Sequence, residues 1–197
     1  MSKKSEDPNL FMHAVGLALT TWGRVEVAHC AVFCRVASGT VSNEALERAY
    51  WAISSFDGRL KMVNAAISHA FSQHAEYLET WTDLHRALES KNKIRNKIAH
   101  GSVVPLSVPD ADSGHLEVKF VPYFWSNLEN LMTKNGNLDV GFSLKDIRDF
   151  SDAFSLVEAR LWRLHDIYLK EQIAPRSTKR FDGSDELPQT HFPKLEQ

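Results

Sequence analysis

Apolar side chains recurring at alternating steps of four and three residues restrict the fold of this 197-residue chain more than any other feature. They form stripes within residues 10–37, 43–71 and 144–171. A repeat of about 3.5 residues is typical of helices that pack side by side at a shallow angle. Because connections such as residues 38–43 are short, the stripes predict antiparallel neighbours. The first stripe consists of Phe11, Val15, Ala18, Trp22, Val25, His29, Val32 and Val36.

A fourth stripe, within residues 77–100, begins apolar and then turns polar. Trp81 and Leu88 are followed at the same spacing by Lys91 and Arg95. A charge that faces a core needs a partner or a water-filled cleft, because burying it alone is costly. Two explanations stay open: the line enters a functional cleft, or the bundle ends there and both side chains reach into water.

Residues 102–142 break the helical pattern and predict a small β insertion. Apolar and polar residues alternate in 115–121, as in a strand with one buried face. Residues 109–114, PDADSG, have the composition of a turn, and 102–108 are the candidate partner strand. The expected fold is therefore mainly α, an antiparallel four-helix bundle with a β-hairpin inserted before the last helix.

The expected domain organisation is a single helical domain over residues 1–172, followed by a flexible tail over 173–197. Ser143 and Asp146 resemble a capping box at the start of the last helix, with Asp in place of the usual Glu or Gln. The tail contains three prolines among polar and charged residues, a composition that disfavours a packed core.

Composition excludes several classes of protein. The formal net charge of −2 rules out a wholly basic nucleic-acid coat, although it allows a local basic patch. Two cysteines cannot build a disulfide scaffold and fit a reducing compartment, so a cytoplasmic location is expected. The N-terminus has no apolar segment typical of a signal peptide, and no apolar run is long enough to span a membrane.

Positive charge is concentrated in residues 86–100, which contain five basic residues and one acidic residue. A basic segment on an otherwise acidic protein is a candidate phosphate site. Lys91, Lys93 and Lys97 are the candidate substrate-binding residues. The alternative, an ordinary solvated helix face, is at least as common for lysines alone.

The segment RNKIAHG holds the candidate catalytic residues. Arg95 has a permanently charged, planar fork that suits phosphate oxygens. Asn96 and His100 lie one turn apart on one face of the same helix, and Gly101 is expected as the residue that terminates it. An arginine, an amide and a titratable imidazole can together perform phosphodiester chemistry, with no metal or cofactor expected.

The R-N-x-x-x-H motif on the third helix of a helical bundle resembles the HEPN superfamily, the higher eukaryotes and prokaryotes nucleotide-binding domain. Arg95, Asn96 and His100 match its signature position by position. The resemblance covers residues 10–101 and 143–171. It implies a metal-independent endoribonuclease, often a toxin or defence effector, that works as a homodimer with paired motifs. Some members of the family have lost catalysis.

The expected function is therefore RNA cleavage at a dimeric site, and the alternative is a non-catalytic dimer that binds RNA, a nucleotide or a protein partner. The resemblance also implies an antitoxin or nucleotidyltransferase-type partner. In members that such a partner modifies, a tyrosine stands two residues after the histidine, whereas this chain has Ser102.

Weaker candidates lie on the first helix. Cys30 and Cys34, with His29 beside them, could begin a metal site, but buried thiols and a hydrogen-bonded core histidine are the favoured interpretation. Several apolar residues flank the main stripe of this helix and make it a candidate dimer interface. They are Leu10, Ala14, Leu17, Ala28, Ala31 and Phe33.

Overall fold

A computed structural model describes residues 7–40, 42–107, 116–122 and 141–173 of the chain. The described part is mainly helical with a small two-stranded antiparallel sheet, which confirms the mainly α class and the small β element but not the four-helix bundle. The predicted turn at 109–114 and nearly all of the predicted tail lie outside the described residues. The elements are α1 (Pro8–Ser38), α2 (Glu44–Ala52), α3 (Phe56–Ala70), α4 (Ala75–Ala99), β1 (Gly101–Ser107), β2 (Leu116–Pro122) and α5 (Leu144–Ile173).

The stripe within residues 43–71 was expected to be one helix but is two, α2 and α3. The backbone leaves the helical region at Ile53, with φ −79° and ψ 114°. Ser55 then caps α3, because its hydroxyl accepts the backbone N–H of Gly58 at 3.1 Å. Ile53 and Phe56 keep the apolar spacing across this break, so periodicity alone does not reveal it.

Helices α1 and α5 lie side by side and point in the same direction. The hydroxyls of Thr21 and Ser151 are 3.3 Å apart, and Arg24 pairs with Glu158 at 2.9 Å. Residue numbers thus rise together along both helices, which an antiparallel pair does not allow. The predicted antiparallel order is wrong for this pair.

Helix α4 is antiparallel to both α1 and α3. Arg95 lies over Trp22, whereas Trp81, earlier on α4, stacks on His29, later on α1. Likewise Trp81 donates to Asn64 of α3, and further along α4 Asn92 donates to the earlier Asp57. Helices α1 and α3 are therefore parallel, because the short α2 returns the chain between them. Among the long helices in the described ranges, α1, α3 and α5 are parallel to one another and α4 is antiparallel to them.

The core lies between these helices and is rich in aromatic rings. Trp22 is buried and meets Phe56 and Phe154 edge-on at centroid distances of 5.0 and 5.1 Å.

The expectation that the flanking face of α1 is free for a dimer needs correction. Ala14, Ala28 and Phe33 are buried within the chain, because α3, α4 and α5 all pack on α1, whereas Leu10 and Leu17 are exposed.

The two strands lie between α4 and α5 in the sequence. Strands β1 and β2 pair antiparallel, with Val103 opposite Phe120, and Phe120 also bridges Phe142. The predicted capping box is confirmed: the Asp146 carboxylate accepts from Ser143 N at 2.8 Å and Oγ at 2.7 Å, and Asp146 N donates back to Ser143 Oγ. No helix within the described ranges is long and apolar enough to cross a membrane.

Candidate functional site

Arg95 is held on two sides by protein groups. Its Nη2 donates to Glu26 Oε1 at 3.0 Å, and its Nη1 donates to Asn96 Oδ1 at 2.9 Å. The guanidinium lies 5.7 Å from the ring centroid of Trp22, and the side chain is 24% exposed. The polar part of the α4 stripe therefore faces a charged partner on α1, the carboxylate of Glu26. A guanidinium fixed in this way keeps its remaining N–H groups in a defined direction.

Glu26 also pairs with a second arginine, Arg59, so that three side chains form one site. The same Oε1 accepts from Arg59 Nη1 at 3.2 Å, while Arg59 Nε donates to the carbonyl of Ile53 at 2.8 Å. The side chains of Glu26 and Arg59 are 17% and 11% exposed. We call Arg59, Glu26 and Arg95 the Arg–Glu–Arg triad. Two guanidinium groups and one carboxylate leave it with a net positive charge.

Glu26 and Arg59 are site residues that sequence reasoning missed. Glu26 follows Trp22 by four residues and precedes His29 by three, so it lies on the core-facing side of α1. An acidic residue on the core-facing side of α1, together with a stripe on α4 that becomes basic at Arg95, is the sequence signal that would have predicted the Glu26–Arg95 ion pair.

Asn96 and His100 complete the motif at the end of α4. Because the Asn96 side-chain oxygen accepts from Arg95, its NH₂ group remains available to donate elsewhere. His100 is the exposed C-cap of α4, and its backbone N–H donates to the carbonyl of Asn96 at 3.2 Å. The structure thus places Arg95 and Asn96 in direct contact, and the backbone of His100 is bonded to that of Asn96.

Gly101 does not terminate α4 in the expected left-handed conformation. It begins β1, and the described glycines with positive φ are Gly39 and Gly141. A Cβ at position 101 would overlap the ring of Phe120 and lie 2.9 Å from the carbonyl oxygen of Val121. Glycine is required here because β2 passes close to the end of α4.

Two of the three candidate lysines do not share the face of Arg95. Lys93 and Lys97 are exposed, and each is two positions from Arg95, which places it about 200° around the helix. Lys91 is one turn before Arg95 and half-buried. A strand contacting Arg95 could therefore meet Lys93 or Lys97 only by passing around α4.

His29 lies in the core, as expected. It is fully buried, its Nδ1 is 2.9 Å from the Tyr50 hydroxyl, and its ring stacks on Trp81. Burial lowers the pKa of His29 to about 3, with smaller contributions from the nearby His85 and Arg59 charges. The imidazole is consequently neutral at physiological pH and does not serve as a proton donor there.

This burial predicts a pH dependence of stability. The folded-state pKa lies below the ordinary value of 6.5, so the unfolded chain binds the proton more readily. Stability is complete above about pH 6.5 and falls by about 1.4 kcal/mol per unit as the pH drops toward 3. Urea unfolding of wild type and His29→Gln between pH 5 and 7 checks this. The variant should show the shallower slope, and equal slopes would contradict the assignment.

Cys30 and Cys34 are both buried free thiols. Burial raises the pKa of Cys30 to about 12 and also raises the pKa of Cys34, so both remain protonated and unreactive at neutral pH. In the ranges that the structure describes, no group of three or more His, Cys, Asp or Glu residues is arranged to hold a metal ion.

No family model, no curated protein and no solved structure matches this chain. The chemistry of the site is therefore the basis for a functional proposal. It combines a fixed guanidinium, an amide donor and an exposed imidazole at one end of α4.

Proposed function

We propose that the chain is a metal-independent endoribonuclease of the HEPN type, active as a homodimer. The observation that supports this most directly is the position of Arg95, which is held by Glu26 and by Asn96, the residue one turn before the exposed His100. A preorganised positive group beside a titratable one suits a reaction in which negative charge accumulates on a phosphate.

In the proposed reaction, a base removes the proton from a ribose 2′-OH, and that oxygen attacks the adjacent phosphorus. The bond to the 5′-oxygen breaks, and an acid protonates this leaving group. Arg95 stabilises the charge on the phosphate oxygens, Asn96 donates to the phosphate, and His100 transfers a proton. The products are a 2′,3′-cyclic phosphate and a 5′-OH.

The same chemistry argues for a dimer. The reaction needs one acid and one base, but each motif contributes a single histidine, His100. Two motifs facing each other across a two-fold axis supply both groups. Exposed apolar residues of α1, including Leu10, Leu17 and Val27, offer a surface for this contact. A toxin or defence role, with a neutralising antitoxin or nucleotidyltransferase-type partner, follows from the family resemblance.

A second candidate function is a non-catalytic dimer that uses the same site for binding. Its support is the Glu26 carboxylate, which already offsets the charge of Arg95 and makes the triad a stable structural feature. Such a module would bind RNA, a nucleotide or a protein partner without turnover.

Incubation of the purified protein with labelled single-stranded RNA in EDTA separates the two functions. We expect cleavage that persists in the chelator and leaves a cyclic phosphate end, with His100→Ala as the control for contaminating nucleases. Binding without cleavage would support the second candidate. Cleavage that stops in EDTA and returns with a divalent metal would contradict the proposed mechanism.

Arg95→Lys should reduce the rate more than the affinity. Lysine retains the charge but lacks the planar fork that contacts Glu26 and Asn96 together, so we expect kcat to fall roughly 10² to 10³-fold with a small change in KM. Lys97→Ala should instead weaken binding and reduce its salt dependence. Steady-state kinetics at several salt concentrations test both variants, and the opposite pattern would reverse the assigned roles.

A further inference from the structure

We propose that Trp51 and Arg59 form a base-stacking subsite for single-stranded RNA beside the Arg–Glu–Arg triad. The proposal rests on the RNA-binding function proposed above and adds a position for a nucleobase. Trp51 lies at the end of α2 and is not part of the R-N-x-x-x-H motif.

Trp51 is a large aromatic residue left in contact with solvent. It is 44% exposed, whereas Trp22 and Trp81 are each only 2% exposed and tryptophan is highly buried on average. Its ring is nevertheless held in place: Tyr50 meets it edge-on at 4.9 Å, and the Arg59 guanidinium lies 4.8 Å from its centroid. An exposed but immobilised ring can stack with a ligand at a low cost in conformational entropy.

Arg59 connects this ring to the catalytic motif. Its guanidinium is fixed by the carbonyl of Ile53 and by Glu26, and Glu26 in turn holds Arg95. Trp51 and Arg95 are thus linked through Arg59 and Glu26, by one cation–π contact of 4.8 Å and two hydrogen bonds of 3.2 and 3.0 Å. A strand with one phosphate at Arg95 therefore has an aromatic platform close by for one of its bases.

Single-stranded RNA suits both parts of this surface. Proteins that bind single strands combine positive charge along the backbone with aromatic rings on which bases stack, and a duplex keeps its bases stacked inside. Trp162, the other exposed tryptophan in the described ranges, is 38% exposed on α5 and contacts His165 rather than the triad. It is the matched control.

The test measures binding without cleavage, by fluorescence anisotropy of a dye-labelled 2′-O-methyl RNA octamer. We expect Trp51→Ala to raise Kd roughly 5- to 150-fold, Trp51→Phe to retain most of the affinity, and Trp162→Ala to bind like wild type. An octamer of abasic nucleotides should bind wild type and Trp51→Ala equally, because it offers a backbone and no bases. Thermal unfolding of each variant verifies the fold.

Equal octamer binding by wild type and folded Trp51→Ala would overturn the subsite while leaving the nuclease proposal intact. Loss of binding to the abasic strand in Trp51→Ala would also overturn it, since the ring would then act through the backbone site. Dissociation of the dimer by Trp51→Ala would assign this ring to an interface instead. Failure of wild type both to bind the octamer and to cleave RNA would refute the proposed function together with the subsite.

Discussion

Glu26→Gln is expected to lower the free energy of unfolding by about 3 kcal/mol, the cost typical of breaking a largely buried ion pair at one partner. The substitution retains size but removes the charge that Arg59 and Arg95 share, leaving two guanidinium groups close together. For a domain of this length, the melting temperature should fall by roughly 6 to 12 °C.

Differential scanning calorimetry measures this loss, and Glu44→Gln is the matched control. Glu44 pairs with Arg48 at 2.6 Å on the surface of α2, with both side chains largely exposed, so its loss should cost no more than about 0.5 kcal/mol. Inorganic phosphate should stabilise Glu26→Gln more than wild type, because Arg59 and Arg95 then lack their shared counter-charge and attract an anion. Equal melting temperatures for wild type and Glu26→Gln would show that the triad does not stabilise the fold.

His100→Ala should reduce RNA cleavage by roughly 10² to 10⁴-fold while leaving the fold intact. The fold is expected to survive because His100 is exposed at the end of α4, and alanine retains the backbone N–H that bonds to Asn96. Single-turnover cleavage assays give the rate, and calorimetry and sedimentation verify the fold and the oligomeric state. A folded, dimeric and fully active variant would rule out His100 as the acid or base.

Mixed dimers extend this test to the shared site. Wild type is mixed with a ninefold excess of His100→Ala chains under conditions that allow subunit exchange. If each site needs both histidines, activity falls to roughly one hundredth of that of pure wild type at the same total protein concentration, because only wild-type pairs are active. Activity of roughly one tenth, in proportion to the wild-type chains, would refute the shared site.

The features that the sequence predicted correctly depend on local contacts. Helices α1, α4 and α5 end within a few residues of the stripes that predicted them, because each stripe marks the face that packs on the core. The capping box joins Ser143 to Asp146, three residues apart, and the paired strands follow from a local alternation. Membership of the HEPN superfamily stays a prediction.

The break between α2 and α3 was missed because the stripe continues through it. The backbone of Ile53 ends one helix and the hydroxyl of Ser55 caps the next, whereas Ile53 and Phe56 keep the apolar spacing of the stripe. The break affects the topology. The nine residues of α2 carry the chain back along α1, and α3 is therefore parallel to α1. A heptad spacing indicates which face of a helix is buried but not the direction in which its neighbour runs.

By itself the sequence determined that the candidate motif residues lie together on one helix: Arg95 and Asn96 are consecutive, and Asn96 and His100 are four residues, or about one turn, apart. Only the tertiary structure decided which groups surround them. Glu26 is 69 positions from Arg95 and 33 from Arg59. Trp51 is separated from the motif by α3 and most of α4. Those contacts depend on the direction and rotation of α1, α2, α3 and α4 against one another, which arise from packing many side chains at once rather than from any local spacing.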